Sequence, residues 1–203
     1  TKSDLTGKPS QFTVDKATIK ASKDGLFQAN ATIEDLELLQ NKKKNWIPQS
    51  WNASGLLAFS SEALNLNSKV NVSYNLNPEN NGQYLISEAS IKVSKKDDTQ
   101  ILTGDIDVSD AIIIQNSDKG WEFDTFIAKG KLSQATPGLG INATIELNYY
   151  KKGYQSAPNT SPYEFNTAII KDADFEVDSS DTIFDASVSL KEMRITQDTD
   201  KND

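Results

Sequence analysis

Residues 99–121, TQILTGDIDVSDAIIIQNSDKGW, decide the fold class of this chain. Apolar residues or glycine occupy every second position from Leu102 to Val108, and polar residues fill the positions between them. A period of two indicates a strand with one buried side and one solvent-facing side. The alternation slips by one residue at Asp110 and resumes at Ala111. Because such a slip would turn the side chains to the opposite face, we expect a β-bulge or bend at Asp110 to absorb it.

The same pattern, slip included, occurs twice more in the chain. Asp35 and Glu192 occupy the position of Asp110 in these copies, and the apolar positions before them alternate in the same way. The strands that precede the three copies, each with its charged turn, lie at residues 16–25, 88–97 and 172–181. The repeated unit is therefore predicted to be a long β-hairpin, and all three acids are predicted to mark a bulge or bend.

Alternation also covers most of the remaining chain, for example from Leu64 to Leu76, and Asn, Asp, Gly and Pro collect between the runs as turn residues. The chain is therefore predicted to be all-β, an antiparallel β-jelly roll or sandwich built from about three repeated long hairpins. We expect a polar N-terminal segment at 1–10 and a single all-β domain at 11–197, with a candidate sub-boundary near 150–162. A polar tail follows at 198–203.

The composition excludes several classes of function. The chain has 203 residues and a net charge of −8, which argues against nucleic-acid binding and against adsorption to an anionic membrane surface. It contains no His and no Cys, which excludes a Ser-His-Asp triad, a Cys–His pair and a zinc site with His ligands. No apolar run is long enough to span a membrane. We therefore expect a non-enzymatic protein with no catalytic residue and no cofactor.

An acidic group in the C-terminal part of the chain is a weak candidate metal site. Asp174, Asp178 and Asp181 could offer the oxygen ligands that calcium prefers. The spacing of a helix–loop–helix calcium site and its bidentate Glu are missing, so a solvated acidic face is the favoured interpretation and no metal is expected. The tryptophans are interpreted in the same way, as rim or core packing rather than as the mouth of a ligand site.

The apolar faces of the predicted strands are the remaining candidate site. Their residues are mostly small or β-branched, so a jelly roll built from them could leave a groove for an acyl chain, whereas an ordinary closed core is the alternative. The candidate ligand-binding residues are Ala29, Ala31, Ile33, Val70, Val72, Gly104, Ile106, Val108, Ile141, Ile145, Phe175 and Val188.

Three stretches resemble elements of the periplasmic lipopolysaccharide-transport proteins. Residues 51–72, WNASGLLAFSSEALNLNSKVNV, resemble the element in which an aromatic residue and Ala-x-Gly lead into a Leu-x-Leu strand. Residues 82–109 contain LTGDIDV, which is similar to the Leu-Thr-Gly-x-Val strand of that family, and residues 12–27 resemble its opening strand pair. The resemblance covers residues 10–150 and recurs loosely over 163–196.

This resemblance implies an open β-jelly roll that carries lipid acyl chains in its interior and docks edge to edge with like domains. It also implies that there is no catalytic residue and no cofactor. The glycine that the family has near Asn67 and Ser68 is missing, and an additional hairpin follows residue 150. The polar start without Met suggests that a leader or anchor is absent from this chain, so we expect an extracytoplasmic location, periplasmic or at the cell surface.

Two functions remain open at this point. The first is a lipid-binding or lipid-conveying jelly roll with an apolar interior. The alternative is a structural subunit of a cell-surface filament, matrix or adhesin that assembles through β-strand addition. The expected partners are a lipid or another copy of a β-protein through edge strands, including a homo-oligomer, with no nucleic acid and no transmembrane segment. An acid-driven hydrolase that uses two of the 29 acidic residues ranks last.

Overall fold

The computed structural model describes residues 10–77, 81–96, 101–116, 120–179 and 185–198. Within these ranges the chain forms ten β-strands and no helix. The strands are β1 (Gln11–Lys23), β2 (Phe27–Gln40), β3 (Trp46–Ser60), β4 (Leu64–Leu76), β5 (Gly82–Lys96), β6 (Ile101–Asn116), β7 (Gly120–Thr136), β8 (Leu139–Tyr150), β9 (Asn166–Asp178) and β10 (Ala186–Gln197). The described part of the chain thus has no helix that could cross a membrane.

The ten strands form a single antiparallel sheet in which the order in space is the order in the chain. The prediction of an all-β protein is confirmed. The sheet is an open meander, because β1 and β10 each pair with one neighbour only among the described strands. All contacts between described strands join sequential neighbours, so these residues form one layer. The two packed layers of a jelly roll or sandwich are therefore not confirmed.

The predicted repeat corresponds to the hairpins β1–β2, β5–β6 and β9–β10. Two further strands separate each of these hairpins from the next, and all ten strands join one continuous sheet. A fold built from three repeated hairpins is therefore not confirmed. The candidate sub-boundary near 150–162 falls in the loop between β8 and β9, which are neighbours in the sheet.

Asp35, Asp110 and Glu192 have positive backbone φ angles of 54°, 51° and 56°. The strand register shifts beside the first two: for example, Ser109 pairs with Ile127 whereas Ile112 pairs with Thr125. A positive φ is unusual for a residue with a side chain, and a short acid tolerates it better than a β-branched residue does. Bulges are therefore confirmed at Asp35 and Asp110, whereas Glu192 has the same backbone conformation without a register shift against β9. At all three positions the apolar side chains stay on one face although the alternation slips.

The two faces of the sheet differ sharply in chemistry. We call the face that carries Val70, Val72 and Tyr74 of β4 the apolar face, and the opposite face, which carries Lys69, the polar face. Cross-strand ion pairs on the polar face join Lys16 to Glu34 at 2.7 Å, Lys69 to Glu88 at 2.6 Å, Lys92 to Asp105 at 2.8 Å and Lys129 to Glu146 at 3.0 Å. Since these side chains are largely exposed, the pairs set strand register more than they add stability.

Few of the described side chains are buried, as expected for a single layer. The buried apolar residues are Tyr74, Ala111 and Ile169, and the buried polar residues are Thr125, Asn148 and Thr167. Most of this small core lies at one end of β7, β8 and β9. There the loop at 151–165 folds back, with hydrogen bonds from Gly153 N to Tyr163 O and from Tyr163 N to Tyr154 O. The aromatic rings of Tyr154 and Tyr163 both stack on Tyr150, with centroids 5.7 Å and 4.6 Å away.

Candidate functional site

The apolar face is the candidate site because large apolar side chains on it remain exposed. Ile19 is 73% exposed, Val188 63%, Ile106 53% and Ile91 51%. Scattered apolar residues are normal on a protein surface, but a contiguous patch larger than about 300–600 Å² usually marks an interaction site. Here the exposed residues extend from β1 to β10, across the full width of the sheet.

Strand register places these side chains together, because residues in register on neighbouring antiparallel strands point to the same side. Ile106 lies in register with Ile91 of β5 and with Gly130 of β7. This row crosses the whole sheet through Ala21, Ala29, Leu57, Ser68, Ile91, Ile106, Gly130, Ile145, Ala173 and Leu190. Nine of these positions carry an apolar residue or glycine, so the apolar surface is continuous from one edge strand to the other.

All the candidate ligand-binding residues named from the sequence lie on this face. Ala29, Ile106 and Ile145 belong to the row just described. On one side of it, the next rows hold Ala31, Val70 and Val108, and then Ile33 and Val72; on the other side they hold Gly104, Phe175 and Val188, and then Ile141. Within the described chain these residues line an open surface and not a closed interior. That they bind a ligand stays a prediction.

A groove of about 400 Å³ lies at the centre of the apolar face, across β5 to β8. Its floor includes Gly104 and Gly130, and its lining is almost entirely apolar. The lack of side chains on these glycines keeps the groove open, because a Cβ on Gly130 would lie 3.2 Å from Cγ2 of Ile145 and would narrow it. The apolar lining residues are Ile91, Val93, Gly104, Ile106, Gly130, Leu132, Ala143 and Ile145.

A second groove of about 280 Å³ lies on the same face, across β1 to β4. Ile19 and Val70 line it, and Gly55 forms part of its floor, where a Cβ would lie only 3.1 Å from Cγ1 of Val70. A larger hollow of about 540 Å³ at the turn ends of β1 to β4 is lined by residues such as Lys23 and Gln28, and it is much more polar. The two apolar grooves are therefore the better seats for a hydrocarbon chain.

A group of aromatic residues whose rings contact one another borders the apolar face beyond the bulges. The ring centroids are 5.8 Å apart for Trp51 and Tyr74, 5.1 Å for Tyr74 and Tyr84, and 4.7 Å for Tyr84 and Trp121. Gly82 lies beneath these rings. Burial, reinforced by the neighbouring Tyr84, raises the pKa of the Tyr74 hydroxyl. The group, which includes two of the three tryptophans, is packed by its own members and lies at one end of the apolar face.

Sequence reasoning did not identify this aromatic group, because its members come from four separate strands and meet only when the sheet forms. The pairing of Trp51 with Tyr74 and of Tyr74 with Tyr84 brings three of them together, and Trp121 joins from β7. The one local signal was Gly82 at the start of a strand, a residue type that often marks a close approach of another group.

The acidic candidates do not form a site among the described residues. Asp174 and Asp178 lie on β9, and Asp174 accepts a hydrogen bond from the hydroxyl of Ser189 on the polar face. Asp181 lies outside the described residues. No group of three carboxylates in the described ranges is close enough together to hold a metal ion.

One partly buried carboxyl group lies near the loop at 151–165. Burial raises the pKa of Asp124, an effect that the nearby Lys151 opposes and Glu122 reinforces. Nζ of Lys151 forms an ion pair with Oε1 of Glu122 at 2.6 Å. This arrangement fastens the loop to β7.

Comparisons of this chain with protein-family models, with curated proteins and with solved structures found no match.

Proposed function

We propose that this chain is a non-enzymatic extracytoplasmic protein that binds or conveys lipids by holding acyl chains against its apolar face. The observation that carries the proposal is the continuous, uncovered apolar face with its central groove of about 400 Å³. An acyl chain has no hydrogen-bonding groups, so the site that suits it needs only apolar contact and a channel of suitable width. The extracytoplasmic location and the role in conveying lipid rest on the resemblance to the lipopolysaccharide-transport proteins.

The polarity of the two faces supports this proposal. Ile91, Ile106 and Ile145 form walls along the groove, and the glycines between them keep its floor low. The opposite side of the same strands carries ion pairs such as Lys92–Asp105, which remain in water. Burial of the exposed apolar side chains by a hydrocarbon would release about 25 cal/mol for each Å² of apolar surface removed from water.

The alternative function, a subunit that assembles by β-strand addition, has one observation in its favour. The outer edges of β1 and β10 are unpaired among the described strands and run antiparallel to each other, so the β10 edge of one copy could pair with the β1 edge of the next. However, Lys20 and Lys191 lie at the two ends of the same row on the polar face. In the register that continues the rows, these two lysines would lie opposite each other, which is unfavourable. We therefore rank lipid binding first.

The proposal is tested by titration of the delipidated protein with parinaric acid, a fatty acid that fluoresces in an apolar environment. Ile106→Glu places a carboxylate in the groove, whereas Thr103→Glu places the same charge on the polar face of the same strand. We expect saturable binding by the natural chain, an affinity lower by ~10-fold or more for Ile106→Glu, and little change for Thr103→Glu. Absence of saturable binding, or equal loss in both variants, would overturn the proposal.

A further inference from the structure

We propose that two copies of this chain pack with their apolar faces together, so that the sheet becomes one half of a two-layered sandwich. The pairing rests on the uncovered face itself, and only the idea that lipid lies between the layers rests on the proposed function. The occupant of the face is thus a second copy of the same chain, related to the first by a twofold axis.

The first argument is that the described chain supplies no second layer. Every contact between its strands joins neighbours within the one sheet. Ile106 and Ile91 lie on β6 and β5, at the centre of the ten strands, and both are about half exposed, at 53% and 51%. In an ordinary sandwich, residues at the centre of the inner face are the most deeply buried. Their exposure here indicates that a covering layer comes from outside the described residues.

The second argument is the size of the face. With strands about 4.8 Å apart and about 40 Å long, a ten-stranded sheet presents roughly 1,700 Å² on one side. Face-to-face pairing would therefore bury up to roughly 3,400 Å² over both copies, within the range of obligate homodimers. Even if the twist of the sheets limited contact to half of this, the buried area would equal that of a standard stable interface, roughly 1,600 Å².

The third argument is that only the apolar face can serve as this interface. The polar face carries cross-strand ion pairs such as Lys129–Glu146, whose burial would cost the hydration of both charges. The edges are also poor sites for self-association, because Lys20 and Lys191 would meet there in the continuing register. Pairing through the apolar face leaves the polar faces of both copies outside, and the net charge of −8 on each chain then lies mostly in solvent.

The fourth argument concerns the grooves. Gly104 and Gly130 hold the floor of the central groove below the level of the surrounding Ile side chains. When the protruding Ile side chains of two such faces come into contact, the spaces above the glycines remain as channels. Pairing would thus convert two open grooves into an enclosed apolar interior, which is the feature that a single sheet cannot provide alone.

The experiment measures the mass of the full chain and its bound lipid separately. Sedimentation velocity is run on detergent-stripped protein and again after loading with oleic acid, and the oleic acid retained is quantified. We expect dimers in both states for the natural chain, monomers for Ile106→Glu and dimers for Thr103→Glu. A monomer at micromolar concentration in both states would overturn the pairing. A dimer that retains no oleic acid would support the pairing and would overturn the lipid-binding proposal instead.

A second measurement keeps the test decisive if Ile106→Glu fails to fold. The chain contains no Cys, so a single introduced cysteine reports on one position only. Ile106→Cys lies at the centre of the apolar face, and Thr103→Cys lies on the polar face of the same strand. With a short bifunctional maleimide, we expect crosslinked dimers of Ile106→Cys and none of Thr103→Cys. The reverse result, or equal crosslinking of both, would overturn the face-to-face pairing.

Discussion

Replacement of Gly82 by alanine tests how tightly the aromatic group at the end of the apolar face is packed. Gly82 is buried at the start of β5, and its backbone N–H donates a hydrogen bond to Oε1 of Gln115 at 3.3 Å. A Cβ at this position would lie 2.8 Å from Cη2 of Trp121 and 2.9 Å from Cε2 of Tyr74. Both distances are shorter than real Cβ contacts allow, so the rings must move apart.

Gly104 is the matched control for this substitution, because it also lies within a strand on the apolar face. A Cβ there would meet Cγ1 of Val93 at 3.9 Å and Cδ1 of Leu132 at 4.0 Å, which are ordinary contacts. Replacing glycine by alanine without strain stabilises a protein by about 0.4–1 kcal/mol, because the unfolded chain loses freedom. Overpacking costs about 1–3 kcal/mol. We therefore expect Gly82→Ala to be less stable than Gly104→Ala by about 2 kcal/mol.

The assay for this prediction is urea unfolding followed by tryptophan fluorescence. Trp121 belongs to the aromatic group, so its emission should also change in folded Gly82→Ala but not in folded Gly104→Ala. Gly130→Ala should fall between the two, since its Cβ would lie 3.2 Å from Cγ2 of Ile145, which can yield slightly. Equal stability of Gly82→Ala and Gly104→Ala would refute the packing described for this group.

Three other predictions concern the bulges, the partly buried carboxyl group and the ion pairs. Asp110→Val should lower the free energy of unfolding by about 1–2 kcal/mol, because a β-branched residue resists a positive φ, whereas Asp110→Gly should not lower it. Urea unfolding that gives the Val and Gly variants equal stability would contradict the bulge. Because burial raises the pKa of Asp124 in the folded state, its ionisation destabilises the fold as the pH rises through and above its ordinary value near 4. Asp124→Asn should therefore raise the melting temperature at about pH 7 and lose this advantage at about pH 3, and a gain confined to acidic pH would contradict the reasoning. Lys129→Gln should lower the free energy of unfolding by less than about 1 kcal/mol in a denaturant titration, because the ion pair of Lys129 with Glu146 is exposed, and high salt should reduce this difference. A larger loss of stability would mean that the polar face is packed against another surface.

The sequence predicted the strands and the positions of their backbone irregularities because both are encoded locally. Alternation with a period of two forces one side of a strand to be apolar, and a slip in that alternation can be absorbed only by a local irregularity. Asp35, Asp110 and Glu192 could therefore be located without any knowledge of their neighbours. The placement of Ile106 and Val188 on one face follows from the same alternation.

The number of layers could not be predicted in this way. An apolar face needs a cover, but the alternation does not say whether the cover is another part of the chain, a second copy or a ligand. The expectation of a jelly roll or sandwich assumed that the chain would cover itself. The ten strands instead remain neighbours in sequence order, and the exposed row through Ile106 is the consequence.

The loop at 151–165 illustrates a second limit. The sequence offers turn residues and a candidate sub-boundary near 150–162, which stays a prediction. The structure adds the stacking of Tyr154 and Tyr163 on Tyr150, which fixes the loop against the sheet, and the pairing of Lys151 with Glu122 of β7. These contacts join residues up to about thirty positions apart, and no local pattern in the sequence reveals them.

The central claim, that the apolar face holds lipid, is tested most directly by native mass spectrometry of the protein purified under gentle conditions from the cells that make it. We predict an adduct with the mass of an acyl-chain lipid that detergent removes, that is absent from Ile106→Glu and that is retained by Thr103→Glu. Protein free of lipid in the natural form, or an adduct that remains in Ile106→Glu, would contradict the claim.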